Sequence, residues 1–181
     1  MSLVMAQDRT LVDAMDGNAG AFDALLAPLL DPAYRLAVVM LDDRIEAEDA
    51  VQEAALKAWS RLRQFRGDRG QLRAWFLSVV ANECRMSRRR PWWSVLRRAE
   101  VEEAAGFGED EAIRAMDLEQ AIRRLPADDQ LALFAHFYLD LTLQESARLL
   151  GVSLATAKSR IYRAARRLRP GIALEEVIPT A

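Results

Sequence analysis

The chain is poor in the residues that most catalytic and metal sites require. Its single cysteine, Cys84, excludes an internal disulfide and a cysteine cluster for metal, and its single histidine, His136, argues against a histidine-based site. No nucleophile paired with a base and no phosphate-binding loop is evident in the sequence. The sequence therefore predicts a protein that is not an enzyme and that needs no cofactor and no metal.

Long apolar runs are missing as well. No uninterrupted apolar stretch approaches the roughly 20 residues that span a bilayer, and the N-terminus lacks a basic flank followed by an apolar core. The composition is that of a globular protein, with 51% hydrophobic and 29% charged residues. We therefore expect a cytoplasmic protein without membrane insertion.

Charge is nearly balanced in total but unevenly distributed along the chain, whose net charge is only −2. Acidic residues crowd residues 8–53 and return at 100–111, whereas basic residues dominate 57–98 and 158–169. This segregation indicates nucleic acid on some faces and a different partner on others.

A helix-turn-helix is the clearest motif that is present. Thr142 and Glu145 have the spacing of a capping box, which predicts that a helix begins there. Gly151 suits the left-handed conformation that ends many helices, and Ser153 can cap a second helix directly after the turn. In that second helix five apolar residues recur at steps of three and four and should face inward: Leu154, Ala157, Ile161, Ala165 and Leu168.

The other faces of this second helix are polar and cationic, with no acidic residue between Ser146 and Arg169. Phosphate contacts and base-edge contacts are both available on such a surface. The plain alternative is a solvated amphipathic helix. Two caps, a turn glycine and a face with charges of one sign occur together in a short segment, which favours a DNA-binding helix. The residues predicted to contact DNA here are Ser153, Thr156, Lys158, Ser159, Arg160, Tyr162 and Arg163.

Helical periodicity runs through most of the chain and predicts an all-α fold of two small helical bundles joined by a linker. The predicted bounds are 8–90 for the first bundle, 91–112 for a flexible acidic linker, and 113–170 for the helix-turn-helix domain. The linker is a poor helix candidate, because Pro91-Trp92-Trp93 opens it and glycines interrupt its acidic stretch.

The first bundle begins with two apolar stripes. An apolar stripe from Phe22 to Leu29 stops before Pro32, and a second stripe begins at Leu36. Both stripes have helical spacing and should face the core of the bundle.

A helix that begins near Asp43 carries two different faces. Its inner face holds small and apolar residues at helical spacing: Ala47, Val51, Ala54, Ala55, Ala58 and Leu62. Its outer face mixes acid, amide and leucine: Asp49, Gln52, Glu53, Leu56 and Ser60. A solvated helix would favour alternating charges, whereas a protein-docking face uses an apolar anchor with a polar rim. The residues alone leave both interpretations open.

A glycine-punctuated loop, Phe65-Arg66-Gly67-Asp68, precedes another helix. The apolar residues of that helix should face inward: Leu72, Trp75, Phe76, Val79 and Val80. Its outward positions are Ser78, Asn82, Arg85 and Arg89. An asparagine among arginines can read base edges while the arginines hold phosphates.

These segments together resemble the extracytoplasmic-function (ECF) group of bacterial RNA polymerase sigma factors. Residues 47–59, the Phe65 loop and residues 73–82 are similar to the family's promoter-melting domain, and residues 125–169 are similar to its C-terminal domain. The two halves occur in the family's order. Three residues depart from the family's usual pattern and should loosen the core of the helix-turn-helix: Ser146, Ala155 and Ala157.

The resemblance implies a subunit that carries core RNA polymerase to promoter DNA and nucleates strand opening. Docking on the clamp of the largest polymerase subunit is implied for Asp49, Gln52, Glu53 and Leu56. Contacts with the minus-ten element, including capture of an unstacked base, are implied for Phe65, Arg66, Gly67, Asp68, Asn82, Arg85 and Arg89. The second helix of the helix-turn-helix would read the minus-thirty-five element.

A further point concerns partners. Members of the family are commonly held by an anti-sigma factor, which makes such a protein a candidate partner.

The alternative function is a free-standing helix-turn-helix regulator whose N-terminal bundle senses a ligand or dimerises. That alternative predicts tight binding to duplex DNA without polymerase, whereas a sigma factor of this low net charge should bind DNA weakly alone.

Overall fold

The structure, a computed structural model, describes residues 2–88 and 120–169, with side chains from residue 9 onward and up to residue 87 in the first range. The chain divides into two compact units, Met1–Val95 and Leu96–Ala181. All regular structure in the described ranges is helical, which confirms the predicted all-α fold. Arg89, Trp92-Trp93 and the rest of the predicted linker lie outside the described residues.

The described part of the first unit consists of four helices and a short 3₁₀ turn. These are α1 (Ser2–Met15), α2 (Ala19–Leu41), α3 (Arg44–Arg61), the turn (Leu62–Gln64) and α4 (Arg69–Arg88). α2 packs against α1, α3 and α4, and α3 packs along α4. Asp43 caps α3 by accepting a hydrogen bond from the amide of Glu46 at 2.9 Å, so the predicted helix start is confirmed.

The two apolar stripes lie on one helix, because α2 runs unbroken through both Pro28 and Pro32. An internal proline costs about 3 kcal/mol, since it removes a backbone hydrogen bond and crowds the preceding turn. Ala33 is fully buried between the two predicted stripes and joins them into one apolar face. Burial of that continuous face against three neighbouring helices outweighs the two prolines.

The length and composition of α2 would also suffice to cross a bilayer. The core helix of a globular protein meets the same criterion, and Leu36 and Ala37 are both fully buried in the unit. Because α2 contacts the three other helices of the unit, we interpret it as the central core helix.

The buried face of α4 is largely the predicted one: Leu72, Phe76, Val79 and Val80. Trp75, also predicted to face inward, is only half-buried. Beside this core, two side-chain contacts fasten α3 to α4. Lys57 forms an ion pair with Glu83, and the hydroxyl of Ser87 donates to the carboxylate of Glu46 at 2.6 Å. These bonds fix the orientation of α3, and therefore of its outer face.

The described part of the second unit contains the predicted helix-turn-helix. Its elements are α5 (Ala127–Leu133), a π-helical turn (Phe134–Tyr138), α6 (Leu143–Leu150) and α7 (Leu154–Leu168). α7 packs against both α5 and α6. His136 lies with its Nδ1 atom 2.9 Å from the carbonyl oxygen of Leu141, a structural contact within the unit.

The caps of the helix-turn-helix form as the sequence predicts. The Thr142 hydroxyl accepts from the Glu145 amide at 3.2 Å, and the Glu145 carboxylate accepts from the Thr142 amide at 2.9 Å. Gly151 ends α6 with a left-handed φ of 68°. Ser153 then caps α7 by accepting from the amide of Thr156 at 3.2 Å. The complete capping box and turn glycine confirm the motif.

One part of the predicted inner face of α7 is wrong. Ala157, Ile161 and Ala165 are buried as expected, but Leu154 is 46% exposed. Leu154 is the first residue of α7, and helical side chains lean toward the helix N-terminus. Its side chain therefore points past the core. Ala164, which the predicted set omitted, is fully buried instead.

Candidate polymerase and nucleic-acid interfaces

The outer face of α3 is the first candidate site. Its four predicted docking residues are all exposed and are called here the α3 stripe: Asp49, Gln52, Glu53 and Leu56. The opposite face of α3 is closed, since Ala47, Ala54 and Ala58 are fully buried. Leu56 is 65% exposed among acidic and amide neighbours. An apolar anchor with a polar rim is the composition of a protein-docking face.

The loop between α3 and α4 is built around a buried ring. Phe65 is 8% exposed and packs on Trp75, with ring centroids 5.1 Å apart. Gly67 lies directly on this ring, because a Cβ atom built there would come within 2.5 Å of the Phe65 Cζ atom. Phe65 was predicted to contact DNA, but its ring supports the loop from beneath and does not offer its surface to a base.

The other loop residues are exposed and partly ordered by hydrogen bonds. The guanidinium of Arg66 donates to the carbonyl of Arg63 at 3.1 Å. Asp68 precedes α4 and accepts from the amide of Gln71 at 3.0 Å, as a helix cap does. This arrangement leaves the loop on the surface with a defined backbone course.

Asn82 shares a face of α4 with Trp75, on which the loop packs. The two residues are seven positions apart, which is two helical turns and about 10 Å along the axis. Asn82 is exposed, and its side-chain oxygen accepts from Arg85 at 2.9 Å. The structure therefore brings the loop, Trp75 and Asn82 to one side of α4. Sequence reasoning assigned Trp75 to the core, and its half-exposed indole is a surface feature that helical spacing alone did not reveal.

The outer face of α7 is the third candidate site. Ser153 and Thr156 are exposed, but their hydroxyls bond to each other at 2.8 Å and serve the cap. Ser159 and Arg163 both line two shallow, open depressions along the helix. Tyr162 is half-buried, with the guanidinium carbon of Arg166 5.7 Å from its ring centroid. This face is open, cationic and long enough for a groove of DNA.

Three arginines on α7 are paired within the unit. Asp129, on α5, is 2% exposed and accepts from Arg163 at 3.0 Å and from Arg167 at 2.8 Å. Arg160 pairs with the neighbouring Asp128 at 3.0 Å. The hydrogen bond and the charge of Asp129 raise the pKa of Arg163 above its already high ordinary value, so this guanidinium stays cationic. The sequence did not indicate these pairs, because the acids and the arginines lie on different helices.

Comparison with known families agrees with this geometry. The family model "Sigma-70 region 2" matches residues 25–94, and the model "Sigma-70, region 4" matches residues 115–168. The RNA polymerase sigma-H factor of Pseudomonas aeruginosa is 29% identical over 182 residues, covering 90% of this chain and 92% of the relative. The ECF RNA polymerase sigma factor SigM of Mycobacterium tuberculosis is 30% identical over 160 residues, covering 84% and 77%.

A solved structure is similar over most of its length. The sigma factor RpoE of Bartonella quintana, crystallised with the anti-sigma factor NepR, superposes with a TM-score of 0.67 at 25% identity, covering 82% of this chain and 94% of that chain. Both matched family models follow the order of the two structural units, and the relatives span nearly the whole chain. This protein belongs to the ECF group of sigma-70 RNA polymerase sigma factors.

Proposed function

We propose that this sigma factor binds core RNA polymerase, directs it to specific promoters and nucleates strand opening, acting in the cytoplasm as a binding protein without chemistry of its own. One observation carries the proposal. The first unit exposes an acidic and apolar docking face, and the second presents a complete helix-turn-helix, in a chain matched by both sigma-70 models. The two units then correspond to a promoter-melting and polymerase-binding domain and to a minus-thirty-five domain, joined by the acidic linker.

The α3 stripe is the proposed contact with polymerase. Its acids and Gln52 are exposed, and α3 is held in place by the Lys57–Glu83 pair and by Glu46–Ser87. A rigid helix that presents Leu56 as an anchor loses little conformational entropy when it docks. The acidic rim favours a basic partner surface through electrostatic complementarity.

The loop and the adjoining face of α4 are the proposed contact with the melted minus-ten strand. Opening the duplex requires unstacking energy of a few kcal/mol, which is recovered when a flipped base is seated on the protein. Trp75 is half-buried and its ring packs on Phe65, so it is a preformed stacking surface on the same side of α4 as Asn82. Arg66 in the loop and Arg85, which is bonded to Asn82, supply positive charge for the phosphate backbone of the DNA.

The outer face of α7 is the proposed contact with the minus-thirty-five element. A recognition helix places its exposed side chains at base edges in the major groove. Ser159 and Tyr162 lie on the open face, and Lys158 is half-buried beside them. Arg163 remains part of the proposed interface, although Asp129 already holds it in the free protein.

The alternative of a free-standing regulator is not favoured, because family models for both sigma domains match in the expected order. An anti-sigma factor is a further proposed partner, since the similar Bartonella sigma factor was crystallised with one. A pull-down with purified core polymerase, together with a gel-shift comparison with and without core enzyme, separates the sigma function from that of a free-standing regulator.

Run-off transcription with core polymerase tests the proposal directly. The variant Asp49→Lys with Glu53→Lys should reduce core binding and promoter-dependent transcription at least tenfold, because two acidic contacts become repulsive. Asp13→Lys with Asp23→Lys, which reverses two exposed acids outside α3, is the charge-matched control and should leave both near wild type. Circular dichroism of each variant verifies the fold.

Two results would count against the proposal. Wild-type protein that gives no promoter-dependent stimulation of core polymerase would refute the sigma function itself. Stripe and control variants with equal core affinity would refute the assignment of the α3 stripe, even if the protein proves to be a sigma factor.

A further inference from the structure

A buried carboxylate lies directly under the recognition helix. The Asp129 side chain is 2% exposed, whereas the side chains of Arg163 and Arg167 are 51% and 47% exposed. Arg163 reaches Asp129 through two donors, Nη2 at 3.0 Å and Nε at 3.4 Å, and Arg167 adds Nη1 at 2.8 Å. The carboxylate therefore engages one edge of Arg163 and one end of Arg167.

Burial makes charged partners necessary for the Asp129 carboxylate, and the carboxylate in turn limits the positions of the two guanidiniums. A buried carboxylate requires charged partners, so Asp129 binds its two guanidiniums firmly. Arg163 and Arg167 are four residues apart on α7, where two like charges repel each other unless an opposite charge lies between them. Without the charge of Asp129, both guanidiniums would turn away from each other toward solvent. On a DNA-reading helix, the solvent side is also the phosphate side.

We propose that Asp129 is a positioning residue that withholds Arg163 and Arg167 from non-specific phosphate contacts, and so raises the ratio of specific to non-specific DNA binding. The inference rests on the proposed function of α7 as the minus-thirty-five reader. Contacts with phosphate groups supply most of the affinity for non-specific DNA, and these contacts carry no sequence information. Pairing Arg163 and Arg167 of α7 with Asp129 of α5 therefore weakens binding to arbitrary DNA more than it weakens binding to the correct promoter.

The expected effect follows from counterion release. Each further phosphate that a protein neutralises steepens the log–log salt dependence by about 0.9, which is roughly a 3.5-fold larger loss of affinity between 50 and 200 mM salt. Asp129→Asn keeps the shape of the side chain and removes its charge. The variant should bind non-specific duplex more tightly than wild type at 50 mM salt, and should lose roughly 3- to 12-fold more of that affinity by 200 mM.

Fluorescence anisotropy with full-length protein and a labelled scrambled duplex measures this salt dependence. Asp140→Asn is the matched control: it removes one negative charge from the same unit at an exposed site whose left-handed φ of 48° asparagine tolerates. It should steepen the salt dependence less than Asp129→Asn does. Holoenzyme binding to promoter and scrambled DNA supplies the specificity ratio, which should fall in Asp129→Asn.

A cycle with Arg163→Gln and Arg167→Gln separates positioning from a merely structural role. In the Asp129→Asn background this pair of substitutions should abolish the added salt dependence, because the released cations are gone. In the wild-type background the same pair of substitutions should reduce the salt dependence by less than it does in the Asp129→Asn background. A reduction equal to about two phosphates in wild type would show that both arginines already contact phosphate, and would overturn the proposal.

The remaining outcomes are also decisive. A folded Asp129→Asn protein with wild-type salt dependence, or with weaker DNA binding, would overturn the inference. If Asp129→Asn does not fold by circular dichroism, the arginine variants in the wild-type background still decide the question. Run-off transcription by wild-type protein is measured in parallel, so that failure of the sigma function is distinguished from failure of this inference.

Discussion

Replacing Gly67 by alanine tests how the loop before α4 is held. A Cβ atom at residue 67 would lie 2.5 Å from the Gln71 Oε1 atom, and 2.5 and 2.9 Å from two ring atoms of Phe65. Gln71 is exposed and can move its amide aside at little cost. Phe65 is 8% exposed and packed on Trp75, so its ring cannot move freely. The loop or the aromatic pair must therefore shift.

The size of the effect follows from this geometry. Overpacking a well-filled site typically costs 1–3 kcal/mol, and disturbing an aromatic pair such as Phe65–Trp75 removes part of about 0.5–1.5 kcal/mol. We therefore expect Gly67→Ala to destabilise the first unit by about 1–3 kcal/mol. For a unit of this size, each 1 kcal/mol lowers the Tm by roughly 4–8 °C.

Two assays separate stability from function. Thermal unfolding by circular dichroism measures the Tm, and permanganate footprinting of promoter complexes with core polymerase measures strand opening. Gly67→Ala should reduce open-complex formation, while holoenzyme binding to the minus-thirty-five region persists. Gly70→Ala is the control, because its Cβ would lie 3.2 Å from the Asp68 Oδ1 atom, a contact that a shift of a few tenths of an ångström relieves while Asp68 still accepts from the Gln71 amide, and because residue 70 is exposed in the first turn of α4.

The reasoning would be refuted by a Gly67→Ala protein that matches Gly70→Ala in both Tm and strand opening. Such a result would mean that the Phe65 ring yields without cost. Loss of stability with normal strand opening would be a narrower failure. It would keep the packing argument and reject the role of the loop in capturing a base.

Two further substitutions probe the helix-turn-helix. Thr142→Ala removes the hydroxyl that accepts from the Glu145 amide at 3.2 Å and should cost the second unit about 1 kcal/mol; thermal unfolding should show Thr142→Ser near wild type, and equal Tm values for the two variants would contradict the cap. Gly151→Ala places a Cβ on a backbone with φ of 68° and should cost about 1–2 kcal/mol. Hydrogen exchange of α6 and α7 amides should show lost protection that Gly151→Asn partly restores, and unaltered protection in Gly151→Ala would contradict the strain.

The features that sequence predicted well are local ones. The capping box at Thr142, the turn at Gly151 and the caps at Ser153 and Asp43 each depend on residues within four positions of one another. A side chain that can bond to a backbone amide three residues away does so whatever the rest of the fold is. The exposure of the α3 stripe was also predicted from the sequence, because helical spacing separates the two faces of an amphipathic helix.

The errors occurred where packing decides against a local preference. The sequence shows two apolar stripes separated by Pro32, a residue type that destabilises helix interiors, yet α2 continues through it because its apolar face is buried against three helices. Phe65 precedes an exposed loop, yet its ring is buried under Gly67 against Trp75, ten residues further along the chain. Leu154 has core spacing but lies at the first position of its helix, beyond the core.

The amino-acid order by itself determined the all-α class, the helix-turn-helix and the exposed faces that are proposed to contact polymerase and DNA, because these depend on helical periodicity and on caps that close within one turn. Only the tertiary structure decided which arginines of α7 pair with Asp129. Asp129 and Arg163 are 34 residues apart in sequence, and nothing in the spacing of either helix indicates that they meet. Their pairing depends on α5 packing against α7, which is a property of the whole unit.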